Sequence, residues 1–198
     1  MLIPLSNLVN NYNLLQNISG VIHIGGHIGE EVPLYLEYNW NVMIFEPQLK
    51  CFEKIPNHNK VLKYNCALGS EEKELNFYLA SNGESSSFLK PNLHLQEHPH
   101  ITFPDECTIK QYPLDNFDTN NYQLLNLDVQ GYELEVLKGS ERTLNSIKYI
   151  YSEVNTKNLY DGCVMLDKLD NWLKERHFIR KETQLTSHGW GDAFYIKE

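Results

Sequence analysis

Cysteine is scarce in this chain and follows no metal-ligand pattern. The 198 residues include four cysteines, and no two of them form a C-x-x-C pair. They are Cys51, Cys66, Cys107 and Cys163. This spacing fits neither a zinc knuckle nor a dense disulfide framework, and it favours free thiols in a reducing compartment. We therefore expect a cytoplasmic protein, in the host cytoplasm if its source is viral.

Positive charge is also in short supply. Lysine and arginine number 17 against 26 acidic residues, which gives a net charge of −9 at pH 7. No run of basic residues is interleaved with aromatic residues, so we expect no nucleic-acid partner. Residues 1–20 contain neither a charged leader segment nor a long apolar run, and this predicts neither secretion nor insertion into a membrane.

The chain does contain enough apolar residues for one core. Hydrophobic residues make up 41% of the sequence. A chain of this length buries one good core, so residues 1–198 are expected to form a single domain. Within residues 1–20, apolar side chains recur at helical spacing and predict a helix that covers the core. These side chains are Leu5, Leu8, Val9, Tyr12 and Leu15.

The stretch VIHIGGHIGEE, residues 21–31, is the point around which the chain is organised. An apolar strand runs into Gly25, Gly26 and Gly29, and a helical pattern follows. Because glycine lacks a Cβ, such a turn lets backbone N–H groups approach a bound small molecule. The dinucleotide fingerprint G-x-G-x-x-G fails here, and no Gly-Lys-Ser/Thr follows for a phosphate loop. A tight turn without a ligand is the alternative interpretation.

Two further strand ends belong to the same predicted crevice. The second strand ends at Glu46 and Pro47, where an α/β nucleotide fold binds ribose hydroxyls with an acidic side chain. A third strand is predicted over Val61–Leu68, and its end places Cys66 and Ala67 beside the adenine of a bound nucleotide. Simple packing at the strand end is the alternative for the cysteine.

The rest of the chain alternates between strands and helices, which predicts a largely parallel sheet covered on both faces. Strands are predicted over 74–80, 108–112, 122–129, 149–154, 178–185 and 192–197, and helices over 30–38, 133–145 and 165–177. The last two strands are expected to form a hairpin. Asp128 and Glu153 end strands that are expected to be neighbours, and the ligand crevice of such a sheet lies at those ends.

Several segments, taken in this order, resemble the FkbM family of S-adenosylmethionine (SAM)-dependent methyltransferases. They are IHIGGHIGEE, IFEP, NCALGS, SSSF, PLDNF, LLNLDVQGYELEVLKGS and YSEV. Residues 23–29 are similar to the first motif of SAM methyltransferases, D-x-G-x-x-x-G, with His23 in place of the aspartate and His27 where many members have asparagine. Asn126 stands where family members usually have a lysine.

The resemblance implies an α/β fold of the class I methyltransferase, Rossmann-like type. Its sheet is mostly parallel, with helices on both faces and an antiparallel C-terminal strand. SAM is the implied cofactor, and O-methylation of a sugar, a glycan or another small-molecule hydroxyl is the implied reaction. We expect SAM to lie across the glycine turn, with its ribose held by Glu46 and its methionine end beside His27. The other expected cofactor contacts are His23, Gly25, Gly26, Gly29, Pro47, Cys66 and Ala67.

The expected chemistry needs help from the protein, because a sugar hydroxyl is a poor nucleophile at pH 7. Asp128 and Glu153 are the candidate catalytic carboxylates: one acts as a base, or the pair holds a divalent cation such as Mg²⁺. A helix-capping Asp128 and a solvated Glu153 are the alternatives. His188, in the turn of the closing hairpin, is a third candidate. No residues are assigned as metal ligands, since the histidines of residues 91–106 match no metal-site spacing.

Two other classes of function stay open at this point. One is another enzyme with a nucleotide cofactor, such as a dehydrogenase, which the failed fingerprint disfavours. The other is a catalytically silent methyltransferase fold that serves as an interaction module. Substrate specificity is expected in the loops 81–106 and 186–192, where a single sequence carries no readable code for the acceptor. The sequence gives no indication of the oligomeric state either.

Overall fold

The computed structural model describes residues 1–198, and its ten strands form two sheets. In chain order the strands are β1 (Gly20–Ile24), β2 (Asn41–Phe45), β3 (Val61–Tyr64), β4 (Ala67–Leu68), β5 (Lys73–Leu79), β6 (Asp105–Tyr112), β7 (Leu124–Leu127), β8 (Tyr149–Asn155), β9 (Phe178–Leu185) and β10 (Trp190–Lys197). The α-helices are α1 (Leu5–Asn11), α2 (Leu14–Asn17), α3 (Val32–Glu37), α4 (Leu49–Phe52), α5 (His94–Glu97), α6 (Glu133–Lys138) and α7 (Leu166–Lys174). None of these helices combines the length and the apolar character needed to cross a membrane.

The larger sheet has seven strands in the order β3-β2-β1-β7-β8-β10-β9. All neighbouring strands are parallel except β10, which runs antiparallel to both β8 and β9. The prediction of a mostly parallel sheet with an antiparallel C-terminal strand is therefore confirmed. The chain leaves β1 in one direction and returns at β7 to continue in the other, which opens a crevice at the carboxyl ends of these strands.

Alternation along the central strands explains why both faces of the sheet are covered. In β1, Ile22 and Ile24 belong to a core of 22 buried residues, whereas Val21 belongs to a second core of 17 on the other face. Helices α6 and α7 pack on the first core, and α1, α2 and α3 pack on the second. This two-sided burial is what a strand period of two produces in a parallel sheet.

The N-terminal segment covers the second core, as expected, but as two short helices rather than one. Leu5, Leu8 and Leu14 are buried in that core. The helix is interrupted before α2 because Asn13 adopts a left-handed conformation, with φ +53°. Asparagine tolerates this conformation better than most residues, so the break coincides with the residue type that permits it.

The predicted third strand, Val61–Leu68, was wrong in its extent, because the chain divides there between the two sheets. Strand β3 ends at Tyr64, and β4 pairs instead with β6 in a three-stranded sheet of order β4-β6-β5. The side chain of Asn65 donates hydrogen bonds to the carbonyl oxygens of Glu46 (2.9 Å) and Pro47 (3.0 Å). These bonds occupy the end of β2, so the backbone of β3 does not continue to pair with β2 beyond Tyr64.

The predicted helix over 133–145 is also shorter than expected. Helix α6 ends at Lys138, and only a single 3₁₀ turn, Thr143–Asn145, follows. Gly139 lies so close to the backbone of Gly69 that a Cβ there would meet the Gly69 carbonyl oxygen at 2.0 Å. The helix therefore stops where its end meets the backbone that follows β4.

The turn after β1 generates a stability prediction. Gly25 has φ +81°, and a Cβ built on it would meet the carbonyl oxygen of Asp128 at 1.7 Å. Gly162 has nearly the same conformation, φ +79°, with no atom within 4 Å of such a Cβ. We expect Gly162→Ala to lower the free energy of unfolding by about 1–2 kcal/mol, the cost of the left-handed conformation alone. Gly25→Ala should cost clearly more, because the β7 backbone must also move. Urea denaturation of the two variants measures the difference, and equal losses would contradict the close contact.

Candidate active site

One cavity of about 460 Å³ lies at the carboxyl ends of β1, β2, β7 and β8. This volume falls within the range of small-molecule sites. The predicted site residues that line it are His23, Gly25, Gly26, His27, Glu46, Pro47, Cys66, Ala67, Asp128 and Glu153. Gly29 and His188 lie outside its lining. The structure thus brings ten of the twelve predicted residues to one cavity.

The glycine turn contributes shape to this cavity rather than free donors. The backbone N–H groups of Gly25 and Gly26 both donate to the carbonyl oxygen of Phe45, at 3.0 Å each. The N–H of His27 donates to the Glu46 carboxylate at 2.9 Å. These three N–H groups are therefore engaged within the protein, contrary to the expectation that they are presented to a ligand. Gly29 packs against Pro56, which explains its distance from the cavity.

Glu46 is the polar centre of the cavity on the β2 side. Its side chain is buried, and each carboxylate oxygen accepts a backbone N–H, from His27 at 2.9 Å and from Gln48 at 2.7 Å. Burial raises the pKa of Glu46 to about 7, although both hydrogen bonds act to lower it. A carboxylate offers about four acceptor positions, so the group keeps capacity for two more donors from the cavity.

The wall next to Glu46 is apolar. Cys66, Ala67 and Leu68 line it, and Phe45 lies at the end of β2. Burial raises the pKa of the Cys66 thiol to about 11, so this cysteine is a neutral wall residue and not a nucleophile. Such a surface suits a flat aromatic ring.

His23 is explained by its neighbours in the sheet. It lies in β1 beside Asn126 of β7, and its ring packs edge-on against Tyr35 with centroids 5.9 Å apart. Asn126 donates to the Tyr35 hydroxyl at 2.9 Å. Burial lowers the pKa of His23, so the ring is neutral at pH 7. The two unusual residues His23 and Asn126 thus belong to one buried polar cluster.

At the opposite end of the cavity, three carboxylates come together. Asp128 follows β7, and Glu153 is in β8. Asp192 is in β10 and lies directly opposite Glu153 in the sheet. The Gln130 amide donates to Asp128 at 2.8 Å and to Glu153 at 2.9 Å. Asp192 accepts the N–H of Leu2 and the hydroxyl of Tyr151.

Two of these carboxylates, Asp128 and Glu153, hold their protons more tightly than free ones. Burial raises the pKa of Glu153 well above its ordinary value, and the charges of Asp128, Glu133 and Asp192 raise it further. Asp128 lies deep in the molecule, but its side chain is exposed to the cavity. Burial and the charges of Asp192 and Glu31 raise its pKa to about 6, while the Gln130 hydrogen bond lowers it. Asp128 is therefore a carboxylate able to exchange a proton near neutral pH.

Gln130 is a site residue that the sequence did not reveal. Its backbone is left-handed, with φ +54°, and such strain in a non-glycine residue is found preferentially at functional sites. The hydroxyl of Tyr160 donates to its side-chain oxygen at 2.8 Å. These contacts fix the amide so that its nitrogen faces Asp128 and Glu153.

The loop Asn82–Ser87 joins the two ends of the cavity. On the Glu46 side, Gln48 donates to the carbonyl oxygen of Gly83 at 3.0 Å. On the carboxylate side, the Tyr160 hydroxyl lies 2.9 Å from the carbonyl oxygen of Ser85 and shares its one proton between this oxygen and the Gln130 side chain. The hydroxyl of Ser87 donates to the carbonyl oxygen of Gln130 at 2.9 Å. The loop that contains the start of the SSSF segment, residues 85–88, therefore contacts both ends of the cavity.

Four histidines gather near the rim. The ring of His98 lies 4.9 Å from that of His94, 5.0 Å from that of His188 and 6.2 Å from that of His100. His188 itself is outside the lining and approaches Glu97 at 3.2 Å. Three candidate ligand atoms come within 4.8 Å of one another only at His27, Glu30 and Glu84, two of which are exposed. The carboxylates Asp128, Glu153 and Asp192 do not converge in this way.

Comparisons with known proteins agree with this geometry. The family described as Methyltransferase FkbM domain matches residues 23–180. The chain is 24% identical over 160 residues to the 2-O-methyltransferase NoeI of Sinorhizobium fredii, an alignment that covers 72% of this chain and 65% of NoeI. It therefore spans slightly less than two thirds of that relative.

Solved structures share the fold. A methyltransferase FkbM from Methylobacillus flagellatus superposes with a TM-score of 0.60 at 14% identity, over 90% of this chain and 43% of that one. The magnesium protoporphyrin IX methyltransferase ChlM from Synechocystis, with bound S-adenosylhomocysteine (SAH), superposes with a TM-score of 0.56 at 11% identity, over 98% of this chain and 79% of that one. Because the family match spans more than half of the chain, this protein belongs to the FkbM family of SAM-dependent methyltransferases.

Proposed function

We propose that this protein transfers the methyl group of SAM to a hydroxyl oxygen of a sugar, a glycan or another small molecule. The observation that carries the proposal is the placement of acidic groups at the two ends of this cavity. An acidic group that fits ribose stands at one end of it, and a carboxylate that exchanges a proton near neutral pH stands at the other. NoeI, the relative in the comparison, is a 2-O-methyltransferase, which supports oxygen as the methylated atom.

The residues present fit SAM by their chemistry. Glu46 keeps acceptor positions for the two ribose hydroxyls, and Cys66, Ala67 and Leu68 offer an apolar wall for the adenine. SAM carries a sulfonium and an ammonium, and the cavity contains carboxylates to face both. When bound, SAM supplies an electrophilic methyl group on a good leaving group. The backbone N–H of His27 donates to the Glu46 carboxylate, and its ring nitrogen Nδ1 lies 2.8 Å from a carboxylate oxygen of Glu30. The role of His27 at the methionine end of SAM stays a prediction.

The protein contributes orientation and proton removal. Holding the hydroxyl in line with the methyl group supplies much of the acceleration of such a displacement. Asp128 is the proposed base, because it is exposed to the cavity and Gln130 fixes its carboxylate. The same amide also donates to Glu153, so the two carboxylates keep fixed positions relative to each other. A base of this kind accepts the hydroxyl proton as the new C–O bond forms.

The first test concerns the reaction itself. We expect the protein to move a trideuteromethyl group from labelled SAM onto an oxygen of a neutral sugar, and mass spectrometry of products from a panel of methyl glycosides detects it. Fragmentation distinguishes an O-methyl from an N-methyl product. SAM binding with transfer only to nitrogen would contradict the proposal.

The second test concerns the ribose contact. Charge-assisted hydrogen bonds contribute on the order of 1.5–3 kcal/mol each. Replacing Glu46→Ala should therefore weaken SAM binding by at least about tenfold in calorimetric titration. Glu37→Ala, which removes an exposed carboxylate at the end of α3, is the matched control and should leave the affinity unchanged. A folded Glu46→Ala protein with normal affinity would rule out the assignment.

The third test concerns Asp128. With a pKa raised to about 6, the base is ionised above that pH, so turnover should rise as the pH increases through about 6. Asp128→Asn should lower turnover by roughly 10²–10⁴ and remove this limb of the profile. The measurement is the initial rate with the best acceptor of the panel. A chelator should have no effect; loss of activity on chelation and its return with Mg²⁺ would show instead that the pair holds a divalent cation.

A further inference from the structure

The charges that line the cavity are mostly negative, and the N-terminal ammonium of Met1, 4.0 Å from Glu31, is the one ammonium group among them. The 34 lining residues of the cavity include seven carboxylates and no lysine or arginine. The seven are Glu30, Glu31, Glu46, Glu84, Asp128, Glu153 and Asp192. Enclosed sites lined by one sign of charge focus the field and select ligands by charge.

The lining carboxylates are most concentrated at the end of the cavity that holds Asp128. Glu153 and Asp192 are direct partners across β8 and β10, and both side chains are buried. Like charges placed directly opposite each other in an antiparallel pair are destabilising. Neither residue takes part in an ion pair, and neither does Asp128. No lysine or arginine side chain offsets these charges; the N-terminal ammonium, which lowers the pKa of Asp128, offsets them in part.

Three of the four histidines in the lining add no positive charge at pH 7; the fourth, His27, lies 2.8 Å from Glu30 beside the glycine turn. Burial lowers the pKa of His23 and of His98, and it lowers the pKa of His94 to about 4. These three rings are neutral at pH 7. Lys157 is paired with Glu97 at 2.5 Å and lies outside the lining.

We propose that the Asp128 end of the cavity selects acceptors by charge: it takes a hydroxyl compound that is neutral or bears an ammonium group beside the reacting oxygen, and it rejects anionic acceptors. This inference rests on the proposed function and narrows its substrate class. Amino sugars and amino alcohols belong to the accepted class, and sugar phosphates, nucleotide-linked sugars and uronic acids belong to the rejected one.

An ammonium group matches these carboxylates better than a metal ion does. The ligand oxygens of Mg²⁺ lie roughly 2.0–2.1 Å from the ion and so must crowd together. The three carboxylates do not meet that requirement, since the one group of three convergent ligand atoms lies at His27, Glu30 and Glu84. An ammonium donates at roughly 2.7–2.9 Å and leaves more room between its acceptors. Trp190, which also lines the cavity, adds an aromatic surface that favours a cation.

The test uses cofactor analogues that differ at the position of the transferred methyl group, sinefungin also having a carbon in place of the sulfur, so no acceptor need be known. Sinefungin carries an amine there, SAH carries nothing, and S-carboxymethyl-SAM carries a carboxylate in place of a hydrogen of the methyl group of SAM. We expect sinefungin to bind at least about tenfold more tightly than SAH, and S-carboxymethyl-SAM at least about tenfold more weakly than SAM, in calorimetric titration at pH 7.5.

Two variants locate the effect. Asp192→Asn and Glu153→Gln should each reduce the ratio of sinefungin affinity to SAH affinity by about threefold or more. Glu37→Gln removes an exposed carboxylate at the end of α3, outside the cavity, so it should leave that ratio unchanged. Circular dichroism and the SAH affinity itself report whether each variant is folded.

The outcomes separate this inference from the proposed function. If SAM and SAH bind but sinefungin binds no better than SAH, charge selection is overturned and the methyltransferase assignment remains. If S-carboxymethyl-SAM binds as well as SAM, selection is overturned in the same way. If neither SAM nor SAH binds, the proposed function fails and this inference fails with it.

Discussion

The close contact between Gly25 and the carbonyl oxygen of Asp128 is the constraint on which the site depends. It brings the ends of β1 and β7 together at the point where the sheet changes direction. The glycine turn then carries His27 to Glu46, and β7 delivers Asp128 to the other end of the same cavity. Donor and acceptor ends are therefore set by one backbone contact rather than by two independent loops.

The site is also where the protein gives up stability. Glu46, Glu133 and Glu153 are buried, and one carboxylate oxygen of Glu133 has no hydrogen-bond partner. Buried carboxylates of this kind cost free energy when ionised, as their raised pKa values show. Around them, two large apolar cores cover both faces of the sheet. A cation that enters the cavity relieves part of the repulsion, which is how binding and stability become coupled.

Much of this fold was predictable because its signals are local. The apolar runs of β1, β2 and β8, the closing hairpin and the acidic strand ends can all be read from residue order. The division of Val61–Leu68 between two sheets was not, because it depends on Asn65 bonding to the end of β2. Asp192 was missed for a similar reason: only the register of β10 against β8 places it opposite Glu153. Glycine spacing indicated the turn correctly, but not that its N–H groups are already bonded to Phe45.

The loop Asn82–Ser87 has a consequence for the order of events in a catalytic cycle. It is bonded to Gln48 at one end of the cavity and to Tyr160 and Gln130 at the other. A ligand that displaces the loop at either end breaks contacts that also hold the opposite end. Thermodynamic reciprocity then requires cofactor and acceptor to influence each other's affinity by the same factor. In the proposed reaction, a loop displaced by both ligands would tie departure of the spent cofactor to the presence or absence of the methylated product, through six residues of backbone.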